Sequence, residues 1–323
     1  MKNAVGWAIA LIALSAAGFA MSSYHLELYQ KLLLVATLAV GFNFLFGVSG
    51  QIAFSHIAFY GIGAYAVVIL TVKLGLPLAA GIAGGLVISA LLAALVAIPT
   101  TRLEGFYLAL VTLAFAQIFL VALGAGGELT GEEEGISGYG LPAFFDIPLT
   151  GAAYTPIIVF VLLLTLWVIL RLDNSYFGRA CRAVRDNPVA ASAMGIDVAR
   201  TKVIVFVVTS TLAAMAGMAY AFVNNFISPP IFELDRIFEL LFMIIIGGTG
   251  RHAGALLGAA LLYSIQFLVE PLVGKFHPLI YGFVVVLVIL FLPKGLIGVW
   301  DDIVARRNNR RNRANRAGGA HLP

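Results

Sequence analysis

The chain has 323 residues, of which 61% are hydrophobic and only 11% charged, and its mean hydropathy is +1.00. Soluble domains carry about a quarter charged residues, so this composition excludes a water-soluble globular fold. The net charge of +4 sits in a few segments, and the single cysteine, Cys181, excludes an intramolecular disulfide framework.

Crossing the hydrocarbon takes roughly 20 mostly apolar residues per helix. Apolar runs at 4–21, 31–47, 52–71, 78–98, 105–123, 153–170, 203–223, 235–247, 254–270 and 278–292 predict an all-α, polytopic bundle of about ten transmembrane helices. Residues 1–30 read as an anchor span with an outer loop, 31–300 as one membrane domain and 301–323 as a basic, disordered tail. The first run, led by Lys2, also resembles a signal peptide, but its length favours an uncleaved anchor. Basic residues are retained on the cytoplasmic side of short loops. With the amino terminus inside, Lys2, Arg102, six residues from Arg171 to Lys202, Arg251 and seven from Lys294 to Arg316 are cytoplasmic. That is 16 of the 20 lysines and arginines, and it predicts both termini inside.

In chain order, the first irregularity is Gly47-Val-Ser-Gly50-Gln51, where the chain turns after barely a full span. The pattern recurs 200 residues later as Gly247-Gly248-Thr-Gly250-Arg251, after another short run. Irregular backbone at membrane depth is tolerated only beside protein or a water-filled cavity, and duplicated broken helices often build a transport site. Two tight hairpins, with glycine adopting positive φ, account for the pattern equally well. Gln51, Ser55 and His56 follow the first turn and should face the bundle interior, where polar groups can be satisfied. They are candidate pathway residues, although a buried histidine more often serves a neighbouring helix. Gly61, Gly63 and Ala64 allow close helix approach. The outer loop 124–152 carries Glu128, Glu132, Glu133, Glu134 and Asp146 among glycines, which suits either a docking surface or a permissive solvated loop.

The basic loop from Arg171 to Lys202 contains a short helix marked by its caps. Asn187 suits the N-cap, Pro188 the first turn and Gly195 the left-handed C-terminal position. So short a helix is unstable alone in water and needs a docking surface. Ala190, Ala191 and Ala193 permit close approach, while Arg182, Arg185 and Asp186 supply a polar border. The alternative is a loop lying on anionic headgroups. The basic tail suits headgroup contact and topology rather than nucleic acid. Neither a phosphate-binding loop, a nucleophile elbow nor metal-ligand spacing occurs. No Asp or Glu sits deep in a span, as an ion-coupled secondary transporter would require, so the chain reads as neither an enzyme nor a self-powered carrier. No cofactor is expected to bind it directly.

From Gly41 to Trp300 the sequence resembles the LivM-type permeases of bacterial branched-chain amino-acid ABC importers. The likeness rests on GVSGQIAFSHIAFYGIGAY (Gly47–Tyr65), GRACRAVRDNPVAASAMGID (Gly178–Asp197), LLFMIIIGGTGRHAGALLGAALL (Leu240–Leu262) and FLPKGLIGVW (Phe291–Trp300). The resemblance implies a plasma-membrane permease paired with a LivH-like second permease. Two cytoplasmic ATP-binding subunits would use ATP and magnesium, and a periplasmic binding protein would deliver substrate. It implies that Asp186 to Gly195 couples ATP hydrolysis to the pore. Gly47, Gly50, Gln51, Ser55, His56, Gly247, Gly248 and Gly250 then line or hinge the pathway. Such relatives also move urea, short amides or other amino acids. The chain departs from the family pattern at Ala53, Ser55 and Arg251-His252.

Overall fold

A computed structural model describes residues 2–103, 105–139 and 151–273, with short pieces at 282–283, 286, 290 and 295–298. The expected tenth span, the basic tail, Asp146 and most of the last sequence motif lie outside the described residues. Eleven helices run in order among those described: α1 Lys2–Phe19, α2 Ser23–Asn43, α3 His56–Val68, α4 Leu78–Thr100, α5 Phe106–Gly124, α6 Thr155–Asp173, α7 Tyr176–Asp186, α8 Pro188–Ala193, α9 Val198–Asn224, α10 Asp235–Gly247 and α11 His252–Val273. Six are long and apolar enough to cross a membrane, counting the π-helical turns that extend α2 to Val48 and α3 to Lys73. The protein is therefore an all-α, multi-pass membrane protein. The described portion of α1 and of α11 gives a shorter apolar helix, and α10 has 13 residues, about 20 Å at 1.5 Å per residue.

The helices sort into a centre and a perimeter. The apolar windows of α2, α3 and α9 are 78%, 72% and 61% buried, against 28% for α4 and α5. The outward surface of α4 and α5 consists of residues such as Leu91, Leu95, Ile118 and Val121, each about two-thirds exposed, as lipid contact demands. In the centre α3 and α9 cross closely at Gly63, where a Cβ would lie 2.6 Å from Ala214 Cα. Small residues let backbones approach where no hydrophobic effect drives helices together. Phe42, Phe59, Phe206 and Ile237 fill the space around that crossing.

Two boundaries differ from the sequence expectation. α2 starts at Ser23 rather than near residue 31, because the polar residues that resemble a break are satisfied within the fold. Gln30 Nε2 donates to the Gly151 carbonyl (2.9 Å) and to Thr155 Oγ1 (3.0 Å), and Lys31 pairs with Glu27 one turn back (2.5 Å). The second span is thus full length. The helix after the glycine turn begins late, at His56, since Phe54 N donates to Thr112 Oγ1 (2.9 Å) rather than into a helix.

Two groups of loop contacts form, one around a short strand pair and one around the glycine turns. At one end, termed outer, β1 (Ile136–Ser137) pairs antiparallel with β2 (Phe226–Ile227), Ile136 opposite Ile227. Tyr139 there donates to the Ala221 carbonyl (2.9 Å), and Thr130 to that of Leu123 (2.7 Å). Burial raises the Tyr139 phenol above its ordinary value, so it remains a donor. Up to Tyr139 the outer loop is fastened to α5 and α9, more ordered than its glycine content suggests.

Candidate functional site

The opposite, inner end gathers the two glycine turns, α7 and α8. Gly50 adopts φ +72, turning the chain out of the π-helical end of α2. The carbonyl of Gly47 accepts a hydrogen bond from Arg185 Nη1 (2.7 Å), and the Arg185 side chain packs on Gly50. The second turn lies directly against the first. Asn43 Oδ1 accepts from Gly250 N (2.8 Å), and a Cβ on Gly47 would come within 2.8 Å of Gly250 Cα. On its other side Gly248 meets Gly295, where a Cβ would lie 2.6 Å from the Gly248 Cα. Parts of all four sequence motifs therefore converge on one junction. The second turn joins α10 and α11, which pack on one another, whereas the first leads from α2 through the non-helical residues 49–55 to α3.

A second set of polar contacts ties α6, α7 and α11 together. Asp173, last residue of α6, accepts from Arg182 of α7 through one carboxylate oxygen, while the other lies 3.1 Å from His252 Nε2 at the start of α11. Gln51 Nε2 donates to Ser49 Oγ (3.1 Å) and to the Lys202 carbonyl (3.3 Å) in the first turns of α9. Side-chain contacts thus join α7 to the inner ends of α2 and α6 and, through Asp173, to that of α11.

The capped helix forms where its residues place it. Asn187 Oδ1 accepts from Ala190 N (3.0 Å), Pro188 opens the turn, and Gly195 has φ +83. Of the three alanines, Ala190 and Ala193 are exposed and Ala191 is buried against the chain itself. The most prominent apolar side chains are instead Val189 and Met194, 80% and 84% exposed. Asp186 accepts from Arg185 Nε and Nη2 (3.1 and 3.0 Å). Sequence reading missed α7 itself, although Ser175 caps it by accepting from Phe177 N (3.1 Å) and Ala180, Cys181 and Val184 form its buried face. Burial pushes the Cys181 thiol up to about 12, consistent with a packing role.

None of the candidate pathway residues lines the cavity found beside α10. Gln51, Ser55 and His56 are buried at the inner end, His56 with its ring 5.5 Å from Phe42. The cavity, of about 820 Å³, is half open and occupies the space between α2, α3, α9, α10 and α11. Leu34, Leu38, Ile57, Leu240 and Met243 form apolar wall, Tyr60, Tyr220 and Tyr263 add phenols, and Lys31, Glu233, Asp235, Arg236 and Glu239 add charges of both signs. Four of those helices are the ones whose inner ends meet at the glycine junction.

Residues 24–292 match the model of a family described as branched-chain amino acid transport system permease component. The chain belongs to that family. It is 29% identical to the high-affinity branched-chain amino acid transport system permease protein LivM of Escherichia coli, over 90% of this chain and 74% of that protein. The Salmonella typhimurium LivM protein is 28% identical over 86% of this chain and 71% of its own length. It is also 28% identical to the Escherichia coli permease protein LivH, over 81% of this chain and 91% of the relative. No solved structure matches. The protein is accordingly an importer permease rather than an enzyme, and α1 lies before the matched residues 24–292.

Proposed function

We propose that this chain is the LivM-like half of a heterodimeric permease in a bacterial plasma membrane, importing aliphatic amino acids by alternating access. A LivH-like subunit would form the other half, two cytoplasmic ATPases would supply energy, and a binding protein would deliver substrate from outside. Both termini would face the cytoplasm, with ten spans counting the short α10 and the run at 278–292. Residues 1–30 would be an added anchor, 31–300 the permease and 301–323 a tail on the headgroups. No cofactor is bound by this subunit in that reading; ATP and magnesium belong to the ATPases.

The observation that carries the coupling mechanism is the continuity between α8 and the glycine junction. α8 presents Val189 and Met194 outward, with Ala190 and Ala193 leaving room for a groove around them, and an ATPase surface would close over this knob. α8 follows α7 through one extended residue, Asn187, and Arg185 of α7 holds the Gly47 carbonyl. Closure of the ATPases would thus pull Arg185 and with it both glycine turns, tilting the helices that enclose the cavity. Replacing Ala190 and Ala193 with Glu places charge in the docking groove. In proteoliposomes carrying the whole complex, the double variant is expected to lose uptake while the ATPases either dissociate or hydrolyse ATP unproductively. Uptake at the wild-type rate would remove α8 from the mechanism.

A further inference from the structure

The arginines at the corner between α6 and α7 fall into two kinds. Arg182 is held by Asp173, and Arg185 by Asp186 and the Gly47 carbonyl. Arg171 and Arg179 are both exposed and have no hydrogen-bond or carboxylate partner among the described residues. Each lies instead on an aromatic ring, the Arg171 guanidinium 5.7 Å from the centre of Trp167 and that of Arg179 5.7 Å from the centre of Tyr176. Stacking uses the flat face of a guanidinium and leaves the N–H donors around its edge open. The fold thus orients two cations without neutralising them.

Both pairs sit where α6 leaves the apolar layer. Phe160 and Trp167, two turns apart, are 54% and 46% exposed, and Arg171 follows one turn later. One lipid-facing stripe therefore runs from hydrocarbon contact to a cation at the inner end. α7 folds back tightly on the end of α6, since a Cβ on Gly178 would lie 2.6 Å from Asp173 Cα. Its Ala180, Cys181 and Val184 are buried, which leaves Tyr176 72% exposed beside the end of α6 with Arg179 one turn on. Amphipathic rings with basic groups beside them are the anchors that membrane proteins place at headgroup level. We propose that the α6–α7 corner is a binding site for anionic phospholipid headgroups in the leaflet at the inner end. Arg171 and Arg179 take phosphate oxygens, to which the planar guanidinium edge is matched, and Trp167 and Tyr176 hold the two cations at the boundary of the hydrocarbon. Continuity with the Phe160 and Trp167 stripe favours lipid over a protein partner. The bound lipid braces the corner from which α7 starts, whatever the cargo of the permease.

The test places the purified full complex in phosphatidylcholine nanodiscs with a trace of phosphatidylglycerol carrying a photoreactive group beside its headgroup. Cross-links are mapped by mass spectrometry of peptides. Wild type is expected to label within residues 164–182 and to lose that label to unlabelled phosphatidylglycerol, but neither to added phosphatidylcholine nor to soluble glycerol 3-phosphate. A basic residue near an anionic surface is worth about fivefold in binding, so Arg171→Gln combined with Arg179→Gln should cut labelling of this segment by roughly tenfold or more. Labelling along α4 and α5 should stay unchanged, which reports an intact bundle. Trp167→Leu with Tyr176→Leu keeps both charges and should lower the label severalfold by freeing the guanidinium groups. Undiminished labelling in the double Gln variant overturns the site, as does equal competition by phosphatidylcholine or effective competition by glycerol 3-phosphate. Wild-type labelling in the aromatic variant overturns the stacked arrangement. An unlabelled segment in the wild-type complex overturns the site too, by giving the corner to a neighbouring subunit. Should the Gln pair disturb the α4 and α5 label, Arg171→Lys with Arg179→Lys decides: a severalfold reduction supports the site, and labelling at the wild-type level overturns it.

Discussion

The inner junction and the outer cavity are built from the same helices by opposite means. At the inner end glycines remove side chains so that two backbone turns touch, and directional contacts tie the segments together: Arg185 to Gly47, Asn43 to Gly250, Asp173 to Arg182 and His252. At the outer end large side chains stand around a volume of about 820 Å³, with Arg236 paired to Glu239 in its wall. Close backbone contact with directional hydrogen bonds resists relative displacement, because a small shift loses the contacts outright. An open cavity can change shape at little cost. In the coupling proposed above, the stiff end would receive force and the compliant end would change access.

The contrast breaks most severely if the backbone contact is wedged apart. Gly47→Val has no space beside Gly250 and Asn43. Overpacking of this kind costs roughly 1–3 kcal/mol, and uptake should fall to background with a lower thermal midpoint in detergent. A variant with normal uptake would show that the turns do not move as one body.

Arg185→Gln comes next. It removes the contact with Gly47 and leaves that carbonyl unpaired, a loss of about 1.5–3 kcal/mol for a hydrogen bond from a charged donor. Uptake should drop about tenfold or more, the factor equivalent to 1.4 kcal/mol, while ATP hydrolysis persists. Parallel loss of both activities would indicate general unfolding rather than uncoupling. Asp173→Asn is milder, since the amide can still accept from Arg182 or His252 but not as a charge. About 1 kcal/mol of stability should be lost, with transport reduced only severalfold, and measurement of both separates the two α7 attachments. The smallest effect concerns Cys181. With its thiol raised to about 12 and fully buried, it should resist maleimide at pH 8 in the native complex and react promptly once denatured. Rapid native labelling would mean that α7 lifts from the bundle.

Much of this was legible beforehand because the signals are local. Asn187, Pro188 and Gly195 act within two turns of one another, so their sequence spacing alone fixes α8. The apolar runs announce their helices because the bilayer demands length and composition from each separately. α7 was hidden for a related reason: its arginines read as a topology signal, and the apolar face at Ala180, Cys181 and Val184 is narrow. Asn43, alone in an apolar run, was a usable sign of a buried partner, but nothing in the sequence named Gly250 as that partner.

The sequence by itself determined that the chain is helical and membrane-embedded, where it turns, and which short segment is capped as a helix of its own. Each of these depends on residues within a few turns of one another. Tertiary structure alone decided that the two glycine patterns, separated by 200 residues, are halves of one contact. It likewise decided that Asp173, Arg182 and His252 form one network and that Arg236 and Glu239 face tyrosines from three other helices. Those facts depend on how helices cross, and crossing is set by the fit of side chains and bare backbone between distant segments, as at Gly63 against Ala214. Periodicity carries no record of that fit.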